Sequence, residues 1–358
     1  MRIQWITLEN FRSYRTLAFS PEPRLNVLTG ANAQGKTNLL EALGVLLVGR
    51  SFRGSKAADL PRWESDRATI AGEIARGDVT RSLRREIERR EEGGFTVTGE
   101  GCPWARAIPF AWRDLEVLSG QPQARRNFVD GFAGKIQPAH LTAHARYRRV
   151  LARRNHLLQR GGGGLEPWDE QLATLGVEIV RRRREAVAAL DAETRRVYPE
   201  LSGRDHEVRL EYQSALEPGI GVEGFLGEIA RRRDAEIRRG VSLVGPHRDD
   251  LRIALDGRDM RSFGSRGQQR LLALGLRLAE AGPVETAVGA PPVLLLDDAL
   301  SELDGETQER LLRRIARGGQ AFLTTAEPSL PESGGAAWWD VKGGRVIETV
   351  CAAAGGAA

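Results

Sequence analysis

Apolar residues alternate at Ile3 and Trp5 and again at Leu17 and Phe19, which predicts half-buried strands over residues 2–8 and 16–20. Between them Glu9-Asn10-Phe11-Arg12-Ser13-Tyr14 reads as a loop. Leu25-Asn26-Val27-Leu28 is a short, nearly unbroken apolar run of the kind a buried strand carries, and Leu39, Leu40 and Leu43 then recur at helical spacing. Residues 69–75, 79–87 and 95–98 predict an antiparallel meander that turns at Gly77-Asp78 and Gly93-Gly94. Near residue 109 the period changes from two to that of helices. Two long Arg-rich helices are predicted over 138–160 and 168–198, joined by Gly161-Gly162-Gly163-Gly164, with Pro199 ending the second. Val150, Leu151, Leu157, Leu158, Leu172, Leu175 and Ile179 mark their inward faces, and no heptad pattern is sustained as a coiled coil requires. Residues 109–240 therefore read as a compact helical insertion.

Beyond it, residues 207–213 predict a strand, 222–239 a helix, and 251–255 a strand closed by the turn Asp256-Gly257. Leu271, Leu274 and Leu278 mark an apolar helix, and Pro291-Pro292 leads into the buried strand Val293-Leu294-Leu295-Leu296. A helix over 306–317, a strand over 321–324 and a hairpin over 338–347, turning at Gly343-Gly344, complete the pattern, and the tail 352–358 reads as disordered.

Chemistry enters at the join between the third strand and the first helix. Gly30-Ala31-Asn32-Ala33-Gln34-Gly35-Lys36-Thr37 fits G-x-x-x-x-G-K-[ST], the phosphate-cradling loop, in the required setting of strand before and helix after. The glycines let backbone N–H groups close on phosphate at a positive helix N-terminus. Lys36 would reach the β- and γ-phosphates and, without them, would face solvent; the Thr37 hydroxyl would ligate Mg²⁺. A second element is the apolar strand that ends in Asp297-Asp298. Parallel strands deliver carboxylates to a Mg·nucleotide at their C-terminal ends, so Asp297 would hold Mg²⁺ through water and Asp298 would orient or deprotonate the attacking water. A third is Ser265-Arg266-Gly267-Gln268-Gln269 at a helix start, either a cap or an anion site. Ser301-Glu302-Leu303-Asp304 follows the acids, where a loop touching a partner subunit would lie.

Composition adds bounds. The 358 residues can bury a sizeable core and suggest two domains or one with a large insertion. No apolar run approaches the roughly 18 residues of a membrane helix, and the strand-like N-terminus has no secretory h-region, so a cytoplasmic protein is expected. Cys102 and Cys351 lack ligand spacing, and the pair His140/His144 lacks the glutamate of a metalloprotease helix, so a surface or core role is expected there. The net charge is +5 with a pI near 9.6, and only four of 53 basic residues are lysine, one of them Lys36. Arg146, Arg148, Arg149, Arg153, Arg154 and the run Arg181-Arg182-Arg183-Arg184 could track phosphates, or could be solvated helix faces. No motif for base readout is visible, so structure-specific DNA binding fits better than sequence-specific binding.

Together these elements resemble the ATPase head of the ABC superfamily in its DNA-repair branch, with SMC and Rad50, and within it the RecF family. The resemblance extends through Leu8-Glu9-Asn10-Phe11-Arg12-Ser13-Tyr14, Gly49-Arg50-Ser51-Phe52-Arg53 and the segment from Gly120 to Asp130. It continues in Arg153-Arg154-Asn155-His156-Leu157-Leu158, Trp168-Asp169-Glu170-Gln171-Leu172, Gly245-Pro246-His247-Arg248-Asp249-Asp250 and Asp297-Asp298-Ala299-Leu300-Ser301-Glu302-Leu303-Asp304. It implies an α/β fold: an ABC-type head with a mixed sheet and an antiparallel β subdomain, plus a helical lobe without a long coiled coil. Residues 1–108 would hold the phosphate loop, 109–240 the helical lobe, and 241–358 the signature and acidic strand.

The resemblance further implies ATP and Mg²⁺ as cofactors and a head-to-tail homodimer that forms with ATP. Each nucleotide would lie between the phosphate loop of one copy, with Arg12 and Ser13 nearby, and Ser265, Gly267, Gln268 and Asp304 of the other. It implies binding to duplex DNA beside single-stranded gaps, with RecR and RecO as partners, to load RecA where single-strand-binding protein blocks it. Three departures stand out. Asp298 replaces the longer glutamate of transporter ATPases, which fits slow, DNA-stimulated hydrolysis. Phe110-Ala111-Trp112-Arg113-Asp114-Leu115 stands where Phe-x-Pro-Glu-Asp-Leu is usual, and Thr324 or Thr325 stands at the switch-histidine place. Rival readings are another SMC- or Rad50-like ATPase, a transporter-type subunit, and a DNA clamp that binds ATP and hardly hydrolyses it. The 229 residues from Lys36 to Ser265 leave no room for a long coiled coil.

Overall fold

The computed structural model describes residues 1–90, 92–326 and 335–349. The chain divides into two compact units, one of residues 1–114, 199–204 and 284–358, the other of 115–198 and 205–283. The boundaries expected from the sequence grouped 241–283, with Ser265, into the head; the chain's packing groups that stretch with the helices. Cys351 and the tail 352–358 fall outside the described residues.

In the first unit the phosphate loop feeds a helix, Lys36–Val48, that beyond its polar first turn is apolar all round except at Glu41, as expected of a helix enclosed by two layers. One layer is a five-stranded antiparallel sheet in the order 14–19, 2–11, 67–76, 79–89, 95–98. The other has six strands in the order 345–349, 337–342, 25–29, 321–324, 293–296, 107–110, all parallel but for the terminal hairpin. Leu39, Leu43, Val45 and Leu46 are buried in one core with Ile6 and Ile70 of the first sheet and Leu28, Leu295 and Phe322 of the second. Gly72 permits the close approach: a Cβ there would lie 2.7 Å from Leu46 Cδ2.

Two local expectations change. The first strand runs on to Phe11, and Tyr14 opens the second, so the loop read over 9–14 is a tight turn at Arg12-Ser13. Residues 107–110 form an edge strand of the parallel sheet, where Ile108 pairs with Leu294.

The second unit packs helices Pro122–Ile136, Ala139–Leu158 and Val222–Arg239 with a small antiparallel sheet, 258–259, 250–255, 208–213. Tyr147, Leu172, Ile179, Phe225 and Val244 are in its core. The helix expected to end at Pro199 spans Glu166–Ser202. Proline's φ suits a helix and it forfeits one hydrogen bond, which in the last turn is a small fraction of a 37-residue helix. Among the described residues no helix is long and apolar enough to cross a membrane.

Candidate functional site

The parallel strands place the ends of 25–29, 321–324 and 293–296 side by side, Thr324 beside Leu28 and Leu296 beside Leu323. Gly30-Ala31-Asn32-Ala33-Gln34-Gly35 leaves the first of these ends and enters the helix at Lys36. Gly30 and Gly35 have φ of 128° and 116°, values closed to L side chains. A Cβ on Gly30 would come within 2.4 Å of Val341 O, and one on Gly35 within 3.0 Å of Ser13 Oγ. Ala31, Asn32 and Ala33 are exposed, and Gln34 Oε1 accepts from Gly343 N at 2.8 Å, which ties the loop to the last hairpin. The Tyr14 hydroxyl, whose burial pushes its pKa up, donates to Gly35 O at 3.0 Å.

Lys36 was expected to face solvent. It is half-buried, and its ammonium donates to Gly30 O and, at 3.0 Å, to Ala31 O. Burial lowers its pKa, against the opposing pull of the Asp298 and Asp297 charges. The cation therefore spans the loop it belongs to, with two carboxylates nearby.

Thr37 and the acidic strand meet directly. The Thr37 hydroxyl donates to Asp297 Oδ1 at 2.8 Å across 260 residues of sequence. Thr324 Oγ1 donates to the same oxygen at 2.9 Å and accepts the backbone N–H of Asp298 at 2.9 Å, so Thr324 faces both acids. Asp297 is half-buried; Asp298 is exposed, with a left-handed φ of 52°. The alcohol and the carboxylate are thus already paired, a hard oxygen set suited to a divalent cation that keeps waters and phosphate oxygens as its other ligands. Among the described residues no group of three or more His, Cys, Asp or Glu side chains is placed to hold a metal alone.

The family-matched Arg12 is held by a residue that no motif marks. Arg12 Nε and Nη2 donate to the buried Glu41 carboxylate at 2.8 and 3.0 Å, and Nη2 also to Ser55 Oγ at 2.6 Å. Ser51 donates to Glu41 as well, and Arg53 lies 3.5 Å away. Burial alone would raise the Glu41 pKa; the Arg12 and Ser51 hydrogen bonds and the two guanidinium charges outweigh it and hold it low. Glu41 sits one turn beyond Thr37, so the helix that starts at the phosphate loop also fixes Arg12 in its left-handed turn, φ 52°. Asn38 belongs here too, donating to Ser13 Oγ at 3.0 Å. A signal for Glu41 was present: beyond the first turn of Lys36–Val48 it is the one charge, set among Leu39, Leu40, Ala42 and Leu43.

In the second unit Ser265 caps the helix Arg266–Ala279 in a capping box. Gln268 N donates to Ser265 Oγ at 3.3 Å, and Ser265 N to Gln268 Oε1 at 3.1 Å. Ser265, Gly267 and Gln268 are all exposed. In the first unit Asp304 caps Gly305–Ala316, accepting from Thr307 N at 2.9 Å and Thr307 Oγ1 at 3.0 Å. These residues thus have a structural task within one copy. Asp114 likewise closes its turn by accepting from Ala111 N at 2.7 Å, and Trp112 beside it is exposed.

The arginines divide sharply. Arg154 and Arg183, grouped above with a phosphate-tracking surface, are buried and cannot serve one. Arg154 donates to Asp169 and Glu236 at 2.6 Å each and to Ser242 Oγ at 2.7 Å. Arg183 forks onto Asp130 at 2.7 and 2.8 Å, and Asp130 also meets the buried His140 at 2.8 Å. The block from Gly245 to Asp250 joins this interior: Pro246 O accepts from Arg183, His247 pairs with Tyr147, and Asp250 is forked by Arg125. Burial lowers the His247 pKa to about 4, so the ring is neutral at pH 7. Arg181 and Arg182 pair with Glu185 and Glu178. Arg146, Arg148, Arg149 and Arg153 remain exposed on one helix.

Removing one partner of a buried ion pair strands the others, at about 3–5 kcal/mol. Arg154→Met is accordingly expected to lower the unfolding free energy measured by urea denaturation by that amount, with Arg148→Met as an exposed control that changes it by less than about 0.5 kcal/mol. Equal small shifts for both would show that the Arg154 network is solvated.

An AAA domain family matches residues 6–128. The chain is 37% identical over 346 residues to the DNA replication and repair protein RecF of Synechococcus sp. (strain JA-3-3Ab), covering 91% of each. It is 39% identical over 363 residues to that of Herpetosiphon aurantiacus, covering 91% of this chain and 93% of the other. A solved structure of the recombination mediator protein RecF with ATP, in the RecFOR pathway, superposes with a TM-score of 0.85 at 28% identity over 97% of this chain and 99% of that one. An Smc head domain from Pyrococcus furiosus shares the fold, with a TM-score of 0.56 at 15% identity over 97% and 96%.

Proposed function

The chain belongs to the RecF family of DNA replication and repair proteins, and from that premise we propose an ATP-controlled DNA-binding protein of gap repair whose nucleotide site is built around Lys36, Thr37, Asp297 and Asp298. The observation that carries it is the meeting of the Thr37 hydroxyl, the Asp297 carboxylate and Thr324 beside a loop whose glycines hold positive φ. When bound with Mg²⁺, ATP supplies a phosphoanhydride whose cleavage resets the protein. This chain's residues do the rest. Backbone N–H groups of 30–37 and the Lys36 ammonium bind the phosphates, Thr37 and Asp297 hold the cation, and Asp298 orients a water and takes up its proton. Arg12, aimed by Glu41, keeps Nη1 for the nucleotide. The short Asp298 carboxylate fits slow hydrolysis that DNA accelerates. Ser265, Gly267, Gln268 and Asp304 of a second copy complete the site, giving a homodimer that forms with ATP.

The DNA reading rests on the helix Ala139–Leu158. Arg146, Arg149 and Arg153 recur at i, i+3 and i+7 on one face, and all three are exposed. Phosphate tracking without base contacts suits the junction of a duplex with a single-stranded gap, where the RecR and RecO partners and RecA loading would follow. The test is binding to gapped, duplex and single-stranded DNA over a range of salt, with and without ATP. Tightest binding is expected for gapped DNA with ATP. Replacing the three arginines by alanine should flatten the log–log salt slope by about three, about one for each phosphate that is no longer neutralised. An unchanged slope would move the DNA surface elsewhere.

A further inference from the structure

We propose that a recess in the second unit receives a carboxylate side chain from an acidic segment of a partner protein. The recess holds about 220 Å³, below the roughly 300–1,000 Å³ of a site for a drug-sized molecule, so it suits a single side chain. All the residues that line it belong to that one unit.

The lining sets the charge of the occupant. Val117, Leu118, Leu251 and Ile253 are its apolar part, and all four are buried. Its charged part has the guanidinium groups of Arg125, Arg252 and Arg261 and the carboxylates of Asp250 and Asp259. Arg125 and Asp250 cancel, since the guanidinium forks onto both carboxylate oxygens at 2.7 and 2.8 Å. Asp259 Oδ1 accepts from Arg261 N at 2.9 Å and so caps the turn Met260–Phe263. Arg252 meets Glu211 at 3.1 Å, but the two side chains are 40% and 56% exposed, and an exposed pair is worth little. The Arg261 side chain has no hydrogen bond or ion pair among the described residues. What is left over is therefore positive, a planar fork of donors that matches a carboxylate.

The rim adds a second contact. Phe263 lies two residues from Arg261 on the same turn and is 71% exposed. The turn is held in place beneath them: Met260 is buried, and its carbonyl accepts from Gln269 Nε2 at 3.0 Å. Arginine and aromatic side chains are the usual anchors of protein interfaces, and here one of each stands on a fixed turn. Arg258 and Arg266, both exposed, flank them in sequence and favour an acidic segment. A carboxylate on a flexible stem can enter a recess of this size. A duplex phosphate carries a sugar on either side and belongs to a stiff rod, which fits it worse.

The experiment measures, by fluorescence anisotropy, the binding of a labelled hexapeptide of alternating glutamate and leucine and of its glutamine counterpart. The proteins are the full chain, Arg261→Met, Phe263→Ala and Arg148→Met. Wild type should bind the glutamate peptide about tenfold more tightly than the glutamine one, and Arg261→Met should lose most of that preference. Phe263→Ala should weaken both peptides by a similar factor, and Arg148→Met, an exposed arginine on another element of the unit, should change neither. Both replaced groups on the turn are exposed, so the thermal midpoint should hold. Equal binding of the two peptides to wild type, or none, overturns the proposal. So does an equal loss in Arg148→Met and Arg261→Met, which would show attraction by the overall charge alone. If Arg261→Met leaves the peptides unaffected and weakens duplex DNA instead, the recess belongs to nucleic acid. If it abolishes only ATP-driven dimerisation, the occupant is the second copy, and the partner reading falls.

Discussion

Lys36→Met is expected to weaken ATP binding by at least about 100-fold, since a charge-assisted contact is worth up to about 3 kcal/mol and on the proposed reading this cation would meet more than one phosphate. The ammonium now donates to Gly30 O and Ala31 O, acceptors from its own loop, and so is poised on the concave side where phosphate would enter. Burial lowers its pKa, and the Asp298 and Asp297 charges oppose that by favouring its charged form. Methionine keeps the length of the stem and cannot donate. The loop's shape should outlast the change, because Gly35 is anchored by Tyr14 and Gln34 by Gly343, independently of the lysine. Far-UV circular dichroism and the thermal midpoint are therefore expected to stay near wild type while calorimetric titration with ATP loses its signal. Lys36→Arg is not a rescue, since a planar fork cannot replace a point charge in a tight loop. Equal ATP affinity for Lys36→Met and wild type would remove the central claim.

What the sequence made legible was whatever rests on local period and local motif. The strands around the phosphate loop, the meander, the acid-bearing strand and the helix begun by Lys36 all carry their own pattern, and the structure has them within a few residues. The pairing of Thr37 with Asp297 was legible only as two halves of one chemistry, since nothing local links positions 260 residues apart. Glu41 escaped because a charge in a helix is ordinarily solvated; enclosure between two sheets turned it inward, and its partners Arg12, Ser51 and Arg53 come from outside the helix. The same blindness affected Arg154 and Arg183. An arginine in a helical run of arginines looks like surface until Asp169, Glu236 and Asp130 arrive to neutralise it, and those come from other elements. The edge strand at 107–110 was hidden for a further reason: Ala107-Ile108-Pro109-Phe110 has neither alternation nor an unbroken β-branched run, and it is pairing with 293–296 that makes it a strand.

Asp298→Asn should separate binding from hydrolysis, and its backbone is the reason to choose it. Asp298 holds a left-handed φ of 52°, a conformation few side chains accept and asparagine accepts readily. Its N–H is fixed by Thr324 Oγ1 at 2.9 Å, and that same hydroxyl donates to Asp297, which anchors the turn through the backbone. Asparagine should therefore keep the geometry, the Thr37–Asp297 contact and the fold. What it loses is the capacity to take a proton from water, a contribution of typically about 10²–10⁴ in rate. The removed charge also lies near the phosphates, so ATP binding should be unchanged or tighter. Single-turnover hydrolysis with saturating ATP is expected to slow by at least about 100-fold while calorimetric ATP affinity holds, and a dimer formed with ATP should persist longer. Asp298→Ala provides the contrast. It loses both the proton acceptor and the side chain that tolerates a left-handed turn, so it should lose stability as well as rate, whereas the asparagine variant loses rate alone. If Asp298→Asn hydrolyses ATP at the wild-type rate, this strained, exposed carboxylate is a turn residue and the group that activates water lies elsewhere. If instead ATP binding falls together with the rate, the acid supports the site and does not perform the proton transfer.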